Sequence, residues 1–356
     1  MFAKLTAFLD SYLVGGAPGY DLIIYHDGKP LFRHQNGYAD VENQVPVRGD
    51  ERYNLYSCSK PITVSAALLL YEEGLFRLDD PLSLYLPEFA RMTVREGDTV
   101  REAQTPIRMQ DLFCMTAGFS YNTSSPALQR AREETKGACP TRETMRYLAE
   151  EPLSFDPGTR WQYSLCHDVL AAATEVIAGM PFGQFVKKRI FEPLGMTRST
   201  YLLPKEEMGE VCEQYMWENG QAQNMGKARR LVLGYAYESG GAGCVSTVED
   251  YMRFLEGLRV GAVLKPETVD LMQTDFLDEN TRPNFWFPGK YGYGLGVRCP
   301  LAGGREFTDF GWDGAAGSYL AIDRENRLSV FYATHLHSAP ICQTRWSIIQ
   351  QVKEEL

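Results

Sequence analysis

Apolar positions change period along the chain, and the changes mark its elements. Phe2, Leu5, Phe8, Leu9 and Leu13 recur at helical spacing, which predicts an amphipathic helix over residues 2–14, ended by Gly15, Gly16 and Pro18. Residues 21–26 and 31–34 flank the strong turn dipeptide Asp27-Gly28 and predict a hairpin. Ile62, Val64, Ala66, Ala67, Leu68, Leu69 and Leu70 are apolar nearly all round, so the helix they form is expected to be buried. Pro61 suits its first turn and Gly74 its end. Residues 74–89 read as a loop with short turns. Between 105 and 230 the period is mostly helical, with pieces at 109–115, 141–150, 169–177 and 182–191. Segments 120–140 and 204–232 show no clear period. After Gly240-Gly241-Ala242-Gly243, residues Ser246-Thr247-Val248-Glu249 read as a capping box. It opens a helix with Tyr251, Phe254, Leu255 and Leu258 on one face, and 264–272 continues the helical pattern. Residues 291–297, 318–322 and 328–333 read as strands, the last two joined by a hairpin over 323–327, and 341–356 reads as a helix.

Strands thus lie at both ends and helices in the middle. The expected fold class is α+β: one antiparallel sheet built from both termini, flanked by helices, with a mostly helical insertion. One domain over 1–356 is expected, with residues 1–60 and 235–356 forming the sheet region and 61–234 the helical one. The helix after Ser57 would run at the seam, where clefts form.

Composition narrows the function. Hydrophobic residues at 44% and charged residues at 23% fit a globular enzyme. A net charge of −10 disfavours nucleic acid or an anionic membrane surface as partner. No apolar run reaches membrane-spanning length. The first twenty residues break at Asp10 and lack a long apolar stretch, so no secretory signal is expected. The eight cysteines stand singly without a C-x-x-C pair, which points to reduced thiols in a cytoplasmic protein and to no metal site.

The chemistry centres on Ser57-Cys58-Ser59-Lys60. Three-residue spacing on a helix puts Ser57 and Lys60 on one face. The helix dipole favours negative charge at that end, and Lys60 either lowers the cost of an alkoxide or, when neutral, takes the proton. An S-x-x-K match arises by chance about once or twice in a chain of this length, so the motif alone decides nothing. Neither G-x-S-x-G nor H-E-x-x-H occurs.

Seven segments in order add weight. They are Tyr56–Pro61 with the run to Pro87, Ile107–Gly118, Pro157–Ser164, Phe191–Met196, Gly240–Gly243, Ser246–Asp250 and Gly311–Gly317. Together they resemble the serine β-lactamase and penicillin-binding family, in its class C β-lactamase and family VIII esterase branch. The resemblance implies that Ser57 is the nucleophile, Lys60 its partner and Tyr163 the general base. A free phenol ionises near pH ~10, so that role needs cationic neighbours. It implies an oxyanion hole made of the Ser57 and Ala315 N–H groups, worth roughly 3 kcal/mol each. It implies no cofactor and a small ester, amide or peptide substrate.

Two departures matter. Leu165 stands where the family's second motif has asparagine, and Trp312-Asp313-Gly314 replaces its K-T-G. A substrate carboxylate loses its basic partner, and Asp313 would repel it if it faced the cleft. Poor β-lactam turnover is therefore expected, with small esters or uncharged amides preferred. Trp312, Asp313, Gly314, Leu165, Tyr121 and Asn122 are the candidate substrate contacts. His167 either lines the cleft or caps a helix, and Cys58 reads as a packed thiol. A receptor or pseudoenzyme that at most acylates is the alternative reading.

Overall fold

Alternation along the first strand decides how the sheet is covered. The computed structural model describes residues 2–228, 230–304 and 306–356. In the strand Gly19–His26, Leu22 and Ile24 join one apolar cluster and Ile23 joins another, as period-two alternation requires. This strand pairs antiparallel with Lys29–Asp40 on one side and with Leu328–Thr334 on the other, Ile23 opposite Phe331. The termini thus meet in one eight-stranded sheet. From edge to edge its strands are Tyr291–Tyr293, Arg298–Pro300, Phe310–Asp313, Tyr319–Asp323, Leu328–Thr334, Gly19–His26, Lys29–Asp40 and Val45–Pro46.

One face is covered by the terminal helices Ala3–Val14 and Ile348–Glu355, through Leu5, Leu9, Ile348, Ile349 and Val352. Glu355 accepts the Lys4 and Leu5 N–H groups at 3.0 and 2.7 Å, tying the last residues to the positive end of the first helix. The other face packs against the helix Val248–Arg259, with Tyr251 stacked on Phe331 at 4.3 Å. Behind it lies the helix Ser59–Glu72, with twelve of its fourteen residues buried. It separates the sheet from a helical layer that includes Met109–Phe113, Thr141–Leu148 and Cys166–Ala178. The seam expected from the sequence is therefore where Ser57 sits.

Several boundaries differ from the sequence reading. The helix at 248 is capped by Thr247, whose hydroxyl accepts the Asp250 N–H at 3.1 Å; Ser246 instead pairs with Tyr53 in a short ladder. The stretch 291–297 is a strand followed by a tight turn, because Gly296 takes φ 73. The stretch 341–356 is two 3₁₀ turns, Pro340–Gln343 and Arg345–Ser347, before the helix Ile348–Glu355; Thr344, at φ −126, interrupts it. The middle region also holds the helix Pro126–Glu134 and two hairpins, Thr93–Glu96 with Thr99–Glu102 and Gln214–Glu218 with Gln221–Gly226. Among the described residues no single helix is long and apolar enough to cross a membrane.

Candidate active site

Ser57 lies in a 3₁₀ turn, Tyr56–Cys58, that runs directly into the buried helix. Tyr56 is left-handed at φ 47, a conformation that costs a non-glycine residue free energy and persists only when surroundings hold it. Here its hydroxyl donates to Gln214, and its ring packs edge-on against His337 and beside Ala242 and Ala316. The turn aims Ser57 at Tyr163, whose hydroxyl lies 2.5 Å from the Ser57 Oγ. Lys60 Nζ, fully buried, lies 3.3 Å from the same Oγ and donates to the Gly241 carbonyl at 2.8 Å. It also stands 4.5 Å from the centre of the Tyr163 ring. An alcohol, an amine and a phenol from positions 57, 60 and 163 therefore share hydrogen bonds.

Asp168 was not singled out in the sequence reading. It is fully buried, and its Oδ1 accepts from Tyr237 at 2.9 Å and Ser239 at 2.6 Å. Burial holds its carboxyl above the ordinary range, while those hydrogen bonds and the Lys60 charge oppose the rise. Gly241 threads between the two charged groups. A Cβ there would sit 2.6 Å from Asp168 Oδ2 and 3.3 Å from Lys60 Nζ, so only glycine brings its carbonyl to the lysine.

Aromatic rings enclose the phenol. Tyr121 stacks on Tyr163 at 5.3 Å with planes 4° apart. Trp312 lies near-parallel to Tyr163 at 6.0 Å and is buried. Trp286, from a loop the sequence reading passed over, is 4.7 Å from Tyr163 and 55% exposed, so it forms the outer wall.

Leu165, expected as a substrate contact, is buried in the apolar core. Asn122 turns outward: its Oδ1 accepts the Ser124 N–H at 3.0 Å in a local Asx turn. It lines a separate cavity of about 510 Å³ with Arg95, Ser120 and Glu151. Asp313 does not stand as a free charge, because its carboxylate is paired with Arg345 at 2.8 Å. His167 is buried with Nε2 3.3 Å from the Phe113 carbonyl, and burial with the Lys60 charge pushes its pKa down to about 3. It is a neutral core group. Burial raises the Cys58 thiol, which keeps it protonated.

The third segment meets the nucleophile turn directly. The strand Phe310–Asp313 packs on Tyr56–Cys58, and a Cβ on Gly314 would lie 2.6 Å from the Leu55 carbonyl oxygen. Ala315, next along, is exposed. Neither its N–H nor that of Ser57 has an acceptor among the described residues.

This geometry can be set against known proteins. The Beta-lactamase family model matches residues 5–351. The chain belongs to the Beta-lactamase family. It is 31% identical to esterase EstB of Burkholderia gladioli, over 94% of this chain and 90% of that one. It is also 31% identical to the lovastatin esterase of Penicillium rubens, over 80% and 79%. Among solved structures, EstCE1, described as a hydrolase with promiscuous acyltransferase activity, superposes with TM-score 0.84 at 24% identity, covering 99% and 98% of the two chains. The chain is thus an enzyme of the serine β-lactamase-like hydrolase superfamily, and its fold is the one expected from the sequence.

A family member with this charge arrangement has a testable pH response. Burial holds the Asp168 carboxyl above its ordinary range, so its contribution to stability is present at acid pH and is lost as pH rises through the folded value. Asp168→Asn removes that titration, so melting temperatures of the variant should fall less than the parent's between pH 5 and pH 8. An unchanged pH dependence of melting would show that the carboxyl titrates alike in the folded and unfolded chain.

Proposed function

We propose that this protein is a serine esterase that hydrolyses small uncharged esters through an acyl-enzyme at Ser57. The observation that carries the reading is the Ser57 Oγ held between the Tyr163 hydroxyl at 2.5 Å and Lys60 Nζ at 3.3 Å. Ser57 Oγ attacks the carbonyl carbon, and its proton passes to the Tyr163–Lys60 pair. The oxyanion is held by the Ser57 and Ala315 N–H groups. Collapse breaks the ester bond, and the leaving alkoxide takes up the stored proton. Water then releases the acid by the same route in reverse order.

Substrate charge follows from Asp313 and Arg345. Their ion pair offers a substrate carboxylate no unpaired cation at the third segment. Trp286, Trp312 and Tyr121 present apolar faces instead. The named esterases among the relatives favour the same chemistry. Leu165, being buried, gives no amide recognition either, which favours weak β-lactamase activity.

The test combines labelling and turnover. A fluorophosphonate should label Ser57, located by peptide mapping, and p-nitrophenyl acetate should be turned over linearly for many equivalents. With nitrocefin, kcat/KM should be at least ~10³-fold lower, the size of loss expected when a polar recognition partner is missing. A burst of one equivalent without turnover would identify an acylation-only receptor. No label at Ser57 would overturn the assignment of the nucleophile.

A further inference from the structure

The family's basic residue is missing from the third segment, yet a cation stands directly behind it. Arg345 belongs to the 3₁₀ turn Arg345–Ser347, and its side chain is only 12% exposed. Its Nη2 meets the Asp313 carboxylate at 2.8 Å, and its Nη1 donates to the Gly314 carbonyl, also at 2.8 Å. The Gly317 N–H reaches the same carbonyl at 3.0 Å, closing a tight turn through Ala315 and Ala316.

The Gly314 carbonyl and the Ala315 N–H are two ends of one planar peptide group. Fixing the carbonyl on one side fixes where the N–H points on the other. A positive donor on the carbonyl also draws electron density through the amide, which makes the N–H a stronger donor. We propose that Arg345 is a positioning residue that orients and polarises the Gly314–Ala315 peptide, so that the Ala315 N–H stabilises the oxyanion formed when Ser57 attacks. Asp313 anchors the guanidinium through Nη2. The cation acts on the hole through the backbone and leaves the cleft face uncharged. This inference rests on the esterase reading of the site and adds the support behind its oxyanion hole.

The break between the two 3₁₀ turns is what delivers the guanidinium. A continuous helix from 341 would carry residue 345 along its own axis; the interruption at Thr344 lets Arg345 reach the end of the strand Phe310–Asp313. Cys342 sits 3.5 Å from the same Nη1 and adds a weak contact.

The experiment measures two rates on Arg345→Ala and Arg345→Lys: hydrolysis of p-nitrophenyl acetate and the second-order rate of fluorophosphonate labelling. Labelling needs only attack of Ser57 Oγ on phosphorus. The P–O bond forms, the P–F bond breaks, fluoride leaves and the serine proton goes to the Tyr163–Lys60 pair. It therefore reads the oxyanion hole even if ester turnover fails, which separates this proposal from the esterase reading. Removing a whole oxyanion donor costs about 10²–10³ in rate, so weakening one should cost about 10-fold or more. Arg345→Ala should lose that factor in kcat and in labelling rate, with KM within about threefold. Arg345→Lys, which can reach only one of the two acceptors, should fall between it and the parent. Added methylguanidinium should restore part of the Arg345→Ala rate. Labelling rates within twofold of the parent in both variants would overturn the proposal. So would losses that track a lowered melting temperature and ignore methylguanidinium, because that pattern marks a purely structural ion pair.

Discussion

Tyr163→Phe should lower kcat/KM for p-nitrophenyl acetate by about 10³-fold, within the 10²–10⁴ range of a lost general base. The substitution deletes one oxygen and keeps the ring. The phenyl ring can still stack on Tyr121 and pack against Trp286 and Trp312, so the cleft wall stays in place. What disappears is the hydroxyl 2.5 Å from the nucleophile. The loss should fall on kcat, with KM changed only a few-fold, because the phenol handles a proton that moves in the transition state. Stability should change little, since the hydroxyl's partner, Ser57, keeps Lys60 as a donor at 3.3 Å. Steady-state kinetics beside a thermal melt decide the point. A Tyr163→Phe enzyme keeping more than a tenth of parental kcat/KM would pass the proton-transfer role to Lys60 alone.

The parts of this site were unequally legible in the sequence. Ser57 and Lys60 are three residues apart on one element, so local periodicity alone brings them together. Tyr163 lies more than a hundred residues away, and only the order of several short segments pointed to it. Asp168 looks like any acid in the first turn of a helix, where it is favoured by the dipole. Its burial beside Lys60 is a tertiary fact with no local trace. Arg345 fell inside a stretch whose apolar spacing suits one helix, and the break at Thr344 carries no glycine or proline to announce it. Other omissions had a signal. Asn219-Gly220, both with positive φ, is the strongest dipeptide for a two-residue hairpin, and it joins Gln214–Glu218 to Gln221–Gly226. Ser125-Pro126, an N-cap followed by proline, opens the helix Pro126–Glu134 in a segment that showed no clear period. The sheet was the most legible part, because strands covered on both faces leave short continuous apolar runs bounded by turn residues at both ends of the chain.

Lys60→Met should abolish ester turnover almost entirely, by about 10⁴-fold, the upper end of what a lost proton-transfer group costs, while the fold persists. The lysine is fully buried, and methionine has a similar length and no charge to desolvate. Replacing both members of a buried ion pair by apolar groups is often neutral or stabilising, whereas removing one leaves the other uncompensated, so the stability of Lys60→Met turns on Asp168. Burial holds its carboxyl up, and Lys60 pulls it down. Without Lys60 it rises further. A carboxyl whose folded value is raised binds its proton more readily in the folded chain than in the unfolded one. The stability this gives is present at acid pH and is lost as pH climbs from about 4, the unfolded value, through the folded value. Relative to the parent, Lys60→Met should therefore melt higher at pH 5 than at pH 8, and adding Asp168→Asn should flatten that difference. Melting curves at the two pH values, run on single and double variants with the ester assay alongside, separate the roles. A single variant that loses activity and stability together at both pH values would make Lys60 a structural ion and remove the proton relay on which Ser57 depends.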